Sequence, residues 1–428
     1  MGEISIPPSP VRRDVVANRQ EVESWVRQHL SGLYLEEPEE AHGSSSFFGG
    51  QDIADKALET LDITGYASKR SRVAPEALRG ATRLSPYIRH GLLTLPEVWQ
   101  AVKGGSYEDL KSFRNELLWQ DYSRHLYNFL GRNSQEPIRY ELSQIDTAME
   151  IVEVLAYDED MECLRRCNEE LRESGWLVNQ TRMWMASHHS IREGQPFDIG
   201  EDEFFRHLLD GSRAANRLGW QWVAGTLTGR PYGFSRSQVT RQAPQWCNEC
   251  ALRSRCPIDT MPDSPEYVVR RESASLRIQE DLGPKAEIKD GPDADCVWLT
   301  AELLSLRQSA LVQNPNLPAV FVFDRALLGQ LRLSFKRLVF LAETLFAIGA
   351  ERTLELHVGD PTEVLSGRRI AATWTPVPGW KKRQKNLNIT ELHPWPWLCV
   401  SKGVISLGSF SAWSKAAVFA DGRRHNFR

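Results

Sequence analysis

The hydrophobic pattern of this 428-residue chain changes near residue 295, and that change limits its possible folds more than any other feature. Before it, apolar residues recur at helical spacing and strand-like runs are scarce, which predicts an all-α region. After it, the short apolar runs CVWL (296–299), AVFVF (319–323) and LELHV (354–358) alternate with helical stretches. Buried runs separated by crossover helices are typical of βαβ units. The sequence therefore predicts an α-helical domain followed by an α/β domain with a parallel, Rossmann-like sheet.

The length of the chain also predicts more than one domain, because a single hydrophobic core rarely grows this large. A charged, strand-poor stretch separates the two patterns and predicts a linker. The expected segments are a helical domain at 1–268, a linker at 269–294 and an α/β domain at 295–428.

Individual helices are expected where apolar spacing and glycine breaks agree. The Gly104–Gly105 pair is expected to divide residues 95–131 into two helices. Further single helices are expected over residues 15–33, 208–223 and 330–348.

The composition is that of an ordinary globular protein, with 41% hydrophobic and 25% charged residues. No apolar run approaches the ~20 residues that span a bilayer. The first residues lack the apolar core of an export signal. We therefore expect a cytoplasmic protein without a membrane segment. The formal net charge of −4 neither predicts nor excludes a nucleic-acid partner.

The seven cysteines are unevenly spaced, and three of them form the compact set C-x2-C-x5-C-P at 247–257. In a chain without an export signal, an odd count favours free thiols or a metal site over a disulfide framework. Thiolates at this spacing, followed by proline, suit an iron–sulfur cluster that a distant fourth cysteine completes. Cys163 and Cys167 lie upstream and are candidates for that ligand. Structural zinc and buried unligated thiols are the alternatives.

Three stretches of the helical part carry a specific resemblance. They are GATRLSPYIRHGLLT (80–94), NELLWQDYSRHLYNF (115–129), and GWLVNQTRMWMAS (175–187) continuing in DGSRAANRLGWQWVAGT (210–226). Their residues and order resemble the helical FAD-binding domain of the DNA photolyase and cryptochrome family. This resemblance implies that residues 1–268 form an FAD-binding domain.

The α/β part resembles the antenna domain of the same family in its opening strand and helix, VWLTAELLSLRQSAL (297–311), and in AVFVFD (319–324). The family normally places that domain first, so the resemblance implies a domain-permuted chain. Such reordering is physically plausible when chain termini lie close together at the surface. ELLS stands where the family usually has basic and acidic residues, so the antenna chromophore is left unassigned.

The resemblance implies FAD as cofactor and assigns its contacts. Arg182 and Asp210 match the ion pair beside the isoalloxazine ring, and Asn216 matches the residue that faces flavin N5. Ser212 stands where the family usually has a second acidic residue, which alters the charge beside the flavin. The implied cofactor-binding residues are Tyr66, Thr82, Arg83, Leu84, Ser85, Arg182, Asp210, Ser212 and Asn216.

The same resemblance implies a pocket for a pyrimidine dimer flipped out of single- or double-stranded DNA. Such a lesion must leave the stack and lie against aromatic surface. Trp119 and Trp222 would form the walls, and Glu116 would bond the polar edge of the pyrimidine. Trp220 matches the flavin-proximal tryptophan of the family's electron-transfer chain. The implied catalytic residues are Glu116, Asn216 and Trp220, and the implied substrate-binding residues are Trp119, Asn179, Met183 and Trp222.

The cysteines resemble those of the photolyase branch that carries a 4Fe–4S cluster. In that branch the fourth cysteine precedes the helix that begins near Asn179, as Cys163 does. The implied cluster ligands are Cys163, Cys247, Cys250 and Cys256, with Cys167 as the second candidate for the fourth position.

Taken together, these features predict light-driven repair of cyclobutane pyrimidine dimers by electron transfer from photoexcited reduced FAD. The activity would be that of a deoxyribodipyrimidine photolyase, a carbon–carbon lyase. The alternative is a non-enzymatic, cryptochrome-like blue-light photosensor that binds FAD. Ser212, Gln180 (where the family usually has arginine) and the lack of a tryptophan within 191–200 favour that alternative. A DNA-binding scaffold with a cluster but no functional flavin is a third reading.

Overall fold

The computed structural model describes residues 4–6, 19–36, 41–142, 160–260, 266–270 and 276–422. The chain divides into two compact units, each assembled from several segments. These two units are defined by contacts in space, and each combines segments that are separated in sequence. The expected consecutive domains, 1–268 and 295–428 with a linker at 269–294, stay a prediction. Unit 1 comprises residues 1–61, 84–101 and 281–397, and unit 2 comprises residues 62–83, 102–280 and 398–428.

The strands of the described chain are β1 (Ile4–Ile6), β2 (Tyr140–Leu142), β3 (Tyr267–Val269), β4 (Arg277–Gln279), β5 (Ile288–Lys289), β6 (Cys296–Leu299), β7 (Ala319–Asp324), β8 (Leu354–Gly359), β9 (Ile370–Thr373), β10 (Ile389–His393), β11 (Cys399–Ser401), β12 (Val404–Ser406) and β13 (Ala417–Phe419). The α-helices are α1 (Arg19–His29), α2 (Gln51–Glu59), α3 (Tyr66–Lys69), α4 (Ser85–Arg89), α5 (Leu95–Ala101), α6 (Tyr107–Leu130), α7 (Glu162–Ser174), α8 (Asn179–Ser187), α9 (Phe197–His207), α10 (Ala215–Val223), α11 (Arg236–Gln242), α12 (Pro244–Glu249), α13 (Ser309–Gln313), α14 (Arg325–Leu331), α15 (Phe335–Glu351), α16 (Pro361–Val364), α17 (Pro378–Arg383) and α18 (Phe410–Ala416).

Unit 1 is built on a seven-stranded sheet of order β1-β8-β7-β6-β9-β10-β5. The five central strands are parallel, and β1 and β5 pair antiparallel at the two edges. Numbered along the chain, the parallel strands have the doubly wound order 3-2-1-4-5. The apolar runs at 296–299, 319–323 and 354–358 all form strands of this sheet, so the predicted parallel α/β fold is confirmed.

Helix α15 explains why the beginning of the chain belongs to unit 1. The Trp25 ring of α1 meets the Phe346 ring of α15 edge-on, with centroids 5.0 Å apart. Arg19 Nε donates to Glu343 Oε1 at 2.8 Å, and the Glu343 side chain is fully buried. The helix expected over 330–348 is interrupted, because Arg332 takes a left-handed conformation (φ 45°) that ends α14.

Unit 2 is predominantly helical, as expected from the sequence. The longest helix, α6, begins with a capping box in which Ser106 and Asp109 satisfy each other's backbone N–H groups. The predicted break at Gly104–Gly105 is confirmed, since both glycines have positive φ between α5 and α6. None of the helices in the described ranges is both long and apolar enough to cross a membrane.

Two other helix predictions need correction. The expected helix over 208–223 begins only at Ala215, because Leu208 turns extended at the end of α9. The Ser212 hydroxyl then accepts a hydrogen bond from Ala215 N at 3.0 Å and so helps to start α10. Of the helix expected over 15–33, residues 19–29 are helical, while residues 15–18 lie outside the described ranges.

The predicted linker is not strand-free. Strand β4 pairs antiparallel with β12 in unit 2, and β5 pairs with β10 in unit 1. The returning C-terminal segment is tied to α6, where Asp121 Oδ2 accepts from Cys399 N at 2.8 Å. Tyr122 also donates its hydroxyl hydrogen to Leu407 O at 2.7 Å. Because these partners are far apart in sequence, local composition could not reveal them.

Candidate functional site

A bidentate ion pair joins the first turns of α8 to the loop after α9. Arg182 Nη1 and Nη2 donate to Asp210 Oδ1 and Oδ2 at 3.1 and 2.8 Å. Arg182 Nε donates to Leu177 O at 3.0 Å, which fixes the guanidinium plane. The Asp210 side chain is only 5% exposed and that of Arg182 20% exposed. Paired planar groups of this kind hold their geometry well, so a charge of each sign is fixed here.

The Asn216 side chain is oriented by a neighbouring glutamate. Its Nδ2 donates to the Glu201 carbonyl oxygen at 3.2 Å and to Glu201 Oε1 at 3.0 Å. Within the described chain, no residue donates to Asn216 Oδ1. The amide therefore presents an acceptor oxygen to any ligand that approaches the start of α10.

Glu201 is the centre of a buried charge network that sequence reasoning missed. Its side chain is fully buried, and Arg217 donates to Oε2 through Nε and Nη2 at 3.0 and 2.9 Å. Arg213 Nη1 donates to the same oxygen at 2.5 Å. The pKa of Glu201 is raised, because the effect of burial exceeds the opposing effect of the two guanidinium groups. Glu201 lies on α9, Arg217 on α10 and Arg213 in the turn between these helices, so no regular spacing marked them in the sequence.

Trp220 is packed in the interior of unit 2. Its ring meets Phe204 edge-on at 5.0 Å and His189 edge-on at 5.7 Å. These are its ring contacts within the described chain, and neither partner is a tryptophan. Gly200 makes room for the indole, since a Cβ there would lie 2.2 Å from Trp220 Cη2. Burial lowers the pKa of His189.

The residues expected around the flavin phosphates fall into both units and are described separately. In unit 2, Arg83 has a left-handed backbone (φ 60°), donates to Glu76 at 3.0 Å and lies 5.3 Å from the Trp176 ring centroid. Thr82 is half-buried, and Tyr66 is buried edge-on against Phe113 at 5.2 Å. In unit 1, Leu84 is buried and Ser85 begins α4.

Two of the expected lesion contacts lie on α6. Glu116 forms an ion pair with Arg70. The pKa of Glu116 is raised, because the effect of burial exceeds the opposing effect of the Arg70 charge. Trp119 is half-buried, and its ring is stacked on Phe410, with centroids 4.4 Å apart and planes at 11°. Both side chains therefore already have protein partners.

The other expected lesion contacts lie on α8 and α10. The Trp222 ring lies 5.5 Å from the Tyr232 ring, and Gln180 Nε2 donates to the Tyr232 hydroxyl at 2.8 Å. Asn179 is exposed, and its Nδ2 lies 3.6 Å from Met183 Sδ. The start of α8 and the end of α10 thus share one polar, aromatic surface. Tyr232 was missed because nothing in its own sequence surroundings marks it.

Four cysteines line one cavity between α7 and the α12 region, together with Trp246 and Ile258. Cys167 does not line it, and burial raises the pKa of its thiol. Burial, followed by the charges of the other three thiols, raises the pKa of Cys163. The cavity-lining cysteines are Cys163, Cys247, Cys250 and Cys256.

The spacing of these sulfurs discriminates between metals. In the described part of the chain, no three of the cysteine sulfurs lie within 4.8 Å of one another. Tetrahedral zinc with Zn–S bonds of about 2.3 Å would hold its four sulfurs roughly 3.8 Å apart. A cluster that places four irons between the thiolates needs a wider set. The four side chains are therefore not arranged as a closed tetrahedral zinc site in the described structure.

Unit 1 contains a second group of potential metal ligands, and a lysine side chain already pairs with it. Glu287, Glu391 and His393 converge within 4.8 Å. Lys289 Nζ lies 3.0 Å from Glu287 Oε1 and 3.5 Å from Glu391 Oε2. Asn314 Nδ2 also donates to Glu391 Oε1 at 2.5 Å. The lysine ammonium neutralises these carboxylates, so we assign no metal to them.

The helical unit contains a recognised domain. Residues 113–251 match the family model described as "FAD binding domain of DNA photolyase". The match includes the Arg182–Asp210 pair, Asn216 and Trp220, whereas Cys256 and the α/β part lie outside it. This part of the helical unit is thus similar to the FAD-binding domain of DNA photolyases.

Curated proteins of similar sequence are named as photo-lyases. A deoxyribodipyrimidine photo-lyase of Thermus thermophilus is 30% identical over 266 residues, which are 59% of this chain and 59% of the relative. That of Escherichia coli K12 is 28% identical over 185 residues, 40% of this chain and 39% of the relative. This chain therefore spans well under two thirds of the length of these relatives.

Among solved structures, the bacterial class III photolyase from Agrobacterium tumefaciens aligns over 49% of this chain and 46% of its own chain. The identity is 22% and the TM-score 0.41.

Proposed function

We propose that this protein binds FAD in its helical unit and repairs cyclobutane pyrimidine dimers in DNA when illuminated. The fixed Arg182–Asp210 pair, within a segment similar to photolyase FAD-binding domains, carries the proposal. A bound, reduced FAD would supply the light-driven electron transfer that splits the cyclobutane ring with no net change in oxidation state. The activity would be that of a deoxyribodipyrimidine photolyase.

The side chains around the flavin would set its charge and protonation. Arg182 offers a positive charge to the anionic reduced ring, and Asp210 holds the guanidinium in place. Asn216 Oδ1 would accept a hydrogen bond from the flavin N5–H, because its Nδ2 is committed to Glu201. Glu201 thus acts as a positioning residue for Asn216.

The surface around Tyr232 would receive one side of the flipped dimer. Trp222 and Met183 supply apolar area, and Asn179 supplies hydrogen-bonding groups for the pyrimidine edge. On α6, Trp119 would provide stacking area, and Glu116 would accept from the imide N–H while Arg70 balances its charge.

FAD binding can be tested with a matched pair of arginine variants. Arg182→Gln removes the fixed positive charge and should lower the FAD released per denatured chain severalfold. Arg165→Gln removes an arginine that pairs with Glu162 and Glu169 on the surface of α7 and should leave FAD content unchanged. Equal FAD content in the two variants, or none in the wild type, would refute this assignment.

The repair assay illuminates fully reduced protein with dimer-containing single- and double-stranded oligonucleotides and measures the restored thymines. We expect repair in the light and none in the dark. If the fully reduced protein repairs no dimers, the proposed repair activity is refuted. An FAD-binding photosensor then becomes the proposed function. The pairing of Glu116 with Arg70 is the observation that favours this second candidate, because the carboxylate is already engaged.

We also propose that Cys163, Cys247, Cys250 and Cys256 bind a 4Fe–4S cluster, supported by the cavity that they share and by the absence of a closed three-sulfur group among the described residues. Purified protein should contain about four irons per chain. Cys163→Ser should lose most of this iron, whereas Cys167→Ser should retain it, since Cys167 does not line the cavity. Zinc in place of iron, or equal iron loss in both variants, would contradict the assignment.

The permuted domain order is likewise our proposal, supported by the doubly wound strand order of the α/β part. A rearranged gene that places residues 269–428 before residues 1–268, and so keeps β4 and β5, should still yield folded protein that binds FAD. A rearranged protein that folds poorly and lacks FAD would argue against the permutation.

A further inference from the structure

The tightest ring pair of the α6 surface is the parallel stack of Trp119 on Phe410. Phe410 is the first residue of α18, whose start is fixed by Ser409, because the Ser409 hydroxyl accepts from Ala412 N at 3.2 Å. Both stacked rings are half-buried, so each retains some exposure to solvent. Phe410 therefore covers one face of Trp119 without enclosing the indole.

The position of Phe410 is itself held by α6. The Tyr122 hydroxyl donates to Leu407 O at 2.7 Å, just before α18 begins. The Tyr122 ring also meets Trp119 edge-on at 5.6 Å and Phe410 edge-on at 5.9 Å. Fully buried Trp413 of α18 packs against Tyr122 at 5.6 Å. The phenylalanine ring is thus fixed from its own helix and from the helix that carries Trp119.

We infer that Phe410 is a positioning residue for lesion binding, which fixes the ring plane of Trp119 by stacking on one face. This inference rests on the proposed function. A half-exposed indole would otherwise sample several rotamers and would have to be ordered when a base stacks on it. Preordering one side chain in this way is worth about two- to tenfold in affinity. Phe410 acts through Trp119 and requires no contact of its own with the DNA.

The test compares binding of a dimer-containing oligonucleotide with binding of the undamaged oligonucleotide of the same sequence. Phe410→Leu keeps apolar bulk but removes the stacking ring, and should lower the preference for the dimer about two- to tenfold. FAD content and affinity for undamaged DNA should not change. Phe410→Tyr keeps the ring and should restore the preference. Tyr107→Ala, an exposed aromatic residue at the start of α6, is the matched control and should behave as wild type.

A double-mutant cycle with Trp119→Ala isolates the route of the effect. If Phe410 acts only through Trp119, adding Phe410→Leu to Trp119→Ala should cost no further preference. Unchanged preference in Phe410→Leu, or full additivity in the double variant, overturns the inference while the proposed function stands. A wild-type protein that binds dimer and undamaged DNA equally overturns both, and that result is read from the wild type alone.

Discussion

Replacing Gly200 by alanine would place a methyl carbon 2.2 Å from Trp220 Cη2, 2.4 Å from Cζ3 and 3.0 Å from His189 Cδ2. Carbon atoms prefer separations of about 3.5–4.0 Å, so the contact is too short by more than 1 Å. The indole cannot easily move away, because Phe204 and His189 pack against it edge-on. The substitution should therefore displace Trp220 or bend α9.

The size of the effect follows from two opposing terms. Overpacking a closed core costs roughly 1–3 kcal/mol, and a contact this short belongs at the upper end. Alanine in place of glycine inside a helix returns about 1 kcal/mol. A net loss of about 2 kcal/mol in the free energy of unfolding is expected. Gly219→Ala in α10 meets no atom within 4 Å and should instead gain up to about 1 kcal/mol.

The assay is urea or thermal unfolding of both variants, followed through FAD release and far-ultraviolet circular dichroism. A difference of about 3 kcal/mol between them corresponds to roughly 6–12 °C in Tm for a unit of this size. The Gly200→Ala variant should also show altered tryptophan fluorescence, because Trp220 has moved. Equal stability of the two alanine variants would refute the close packing of Trp220 on α9.

Three further predictions concern the helical unit. Although burial alone would lower it, hydrogen bonds and charges from Asp121 and Glu280 raise the pKa of His125 from 6.5 to about 9. This stabilisation is complete below pH 6.5 and is lost as pH rises through about 9. Urea unfolding of the wild type should therefore show a free energy of unfolding that falls over this pH range. The His125→Gln variant should show little change over the same range. Ser212→Ala removes the acceptor for Ala215 N and should lower the free energy of unfolding by about 0.5–1.5 kcal/mol, the net value of one hydrogen bond; an unchanged free energy would mean that the hydroxyl does not stabilise the start of α10. Tyr122→Phe leaves Leu407 O without its donor and should lower the free energy of unfolding by about 1 kcal/mol, with faster hydrogen exchange in α18 as the local readout; unchanged exchange there would speak against this anchor.

Local patterns in the sequence located much of the secondary structure. The apolar runs at 296–299, 319–323 and 354–358 form parallel strands. They could be predicted because a strand that is buried on both faces of a sheet is apolar at nearly every position. The glycine pair at 104–105 lies in the connection between α5 and α6, where both residues take the positive φ that glycine favours. Helix starts were predicted less well: α10 begins at Ala215 only because Leu208 turns extended and the Ser212 hydroxyl reaches Ala215 N.

The candidate site shows the same division. The sequence itself contained the compact cysteine set and the residues that resemble a flavin site, since motif residues keep fixed spacings along the chain. It did not distinguish Cys163 from Cys167, because both lie on α7 and only packing decides which one lines the cavity. It also gave no sign that Glu201 holds Asn216, a contact between two separate helices.

Local composition and spacing were sufficient to predict the elements: helices first, then a parallel α/β sheet, with cysteines and flavin-type motifs at recognisable spacings. The partners of these elements became known only from the folded chain, such as Arg19 with Glu343 in unit 1 and Phe410 with Trp119 in unit 2. Periodicity records which face of an element is buried, because burial is a property of single residues. The partner that covers this face is set by long-range packing, and that packing leaves no mark at either position in the sequence.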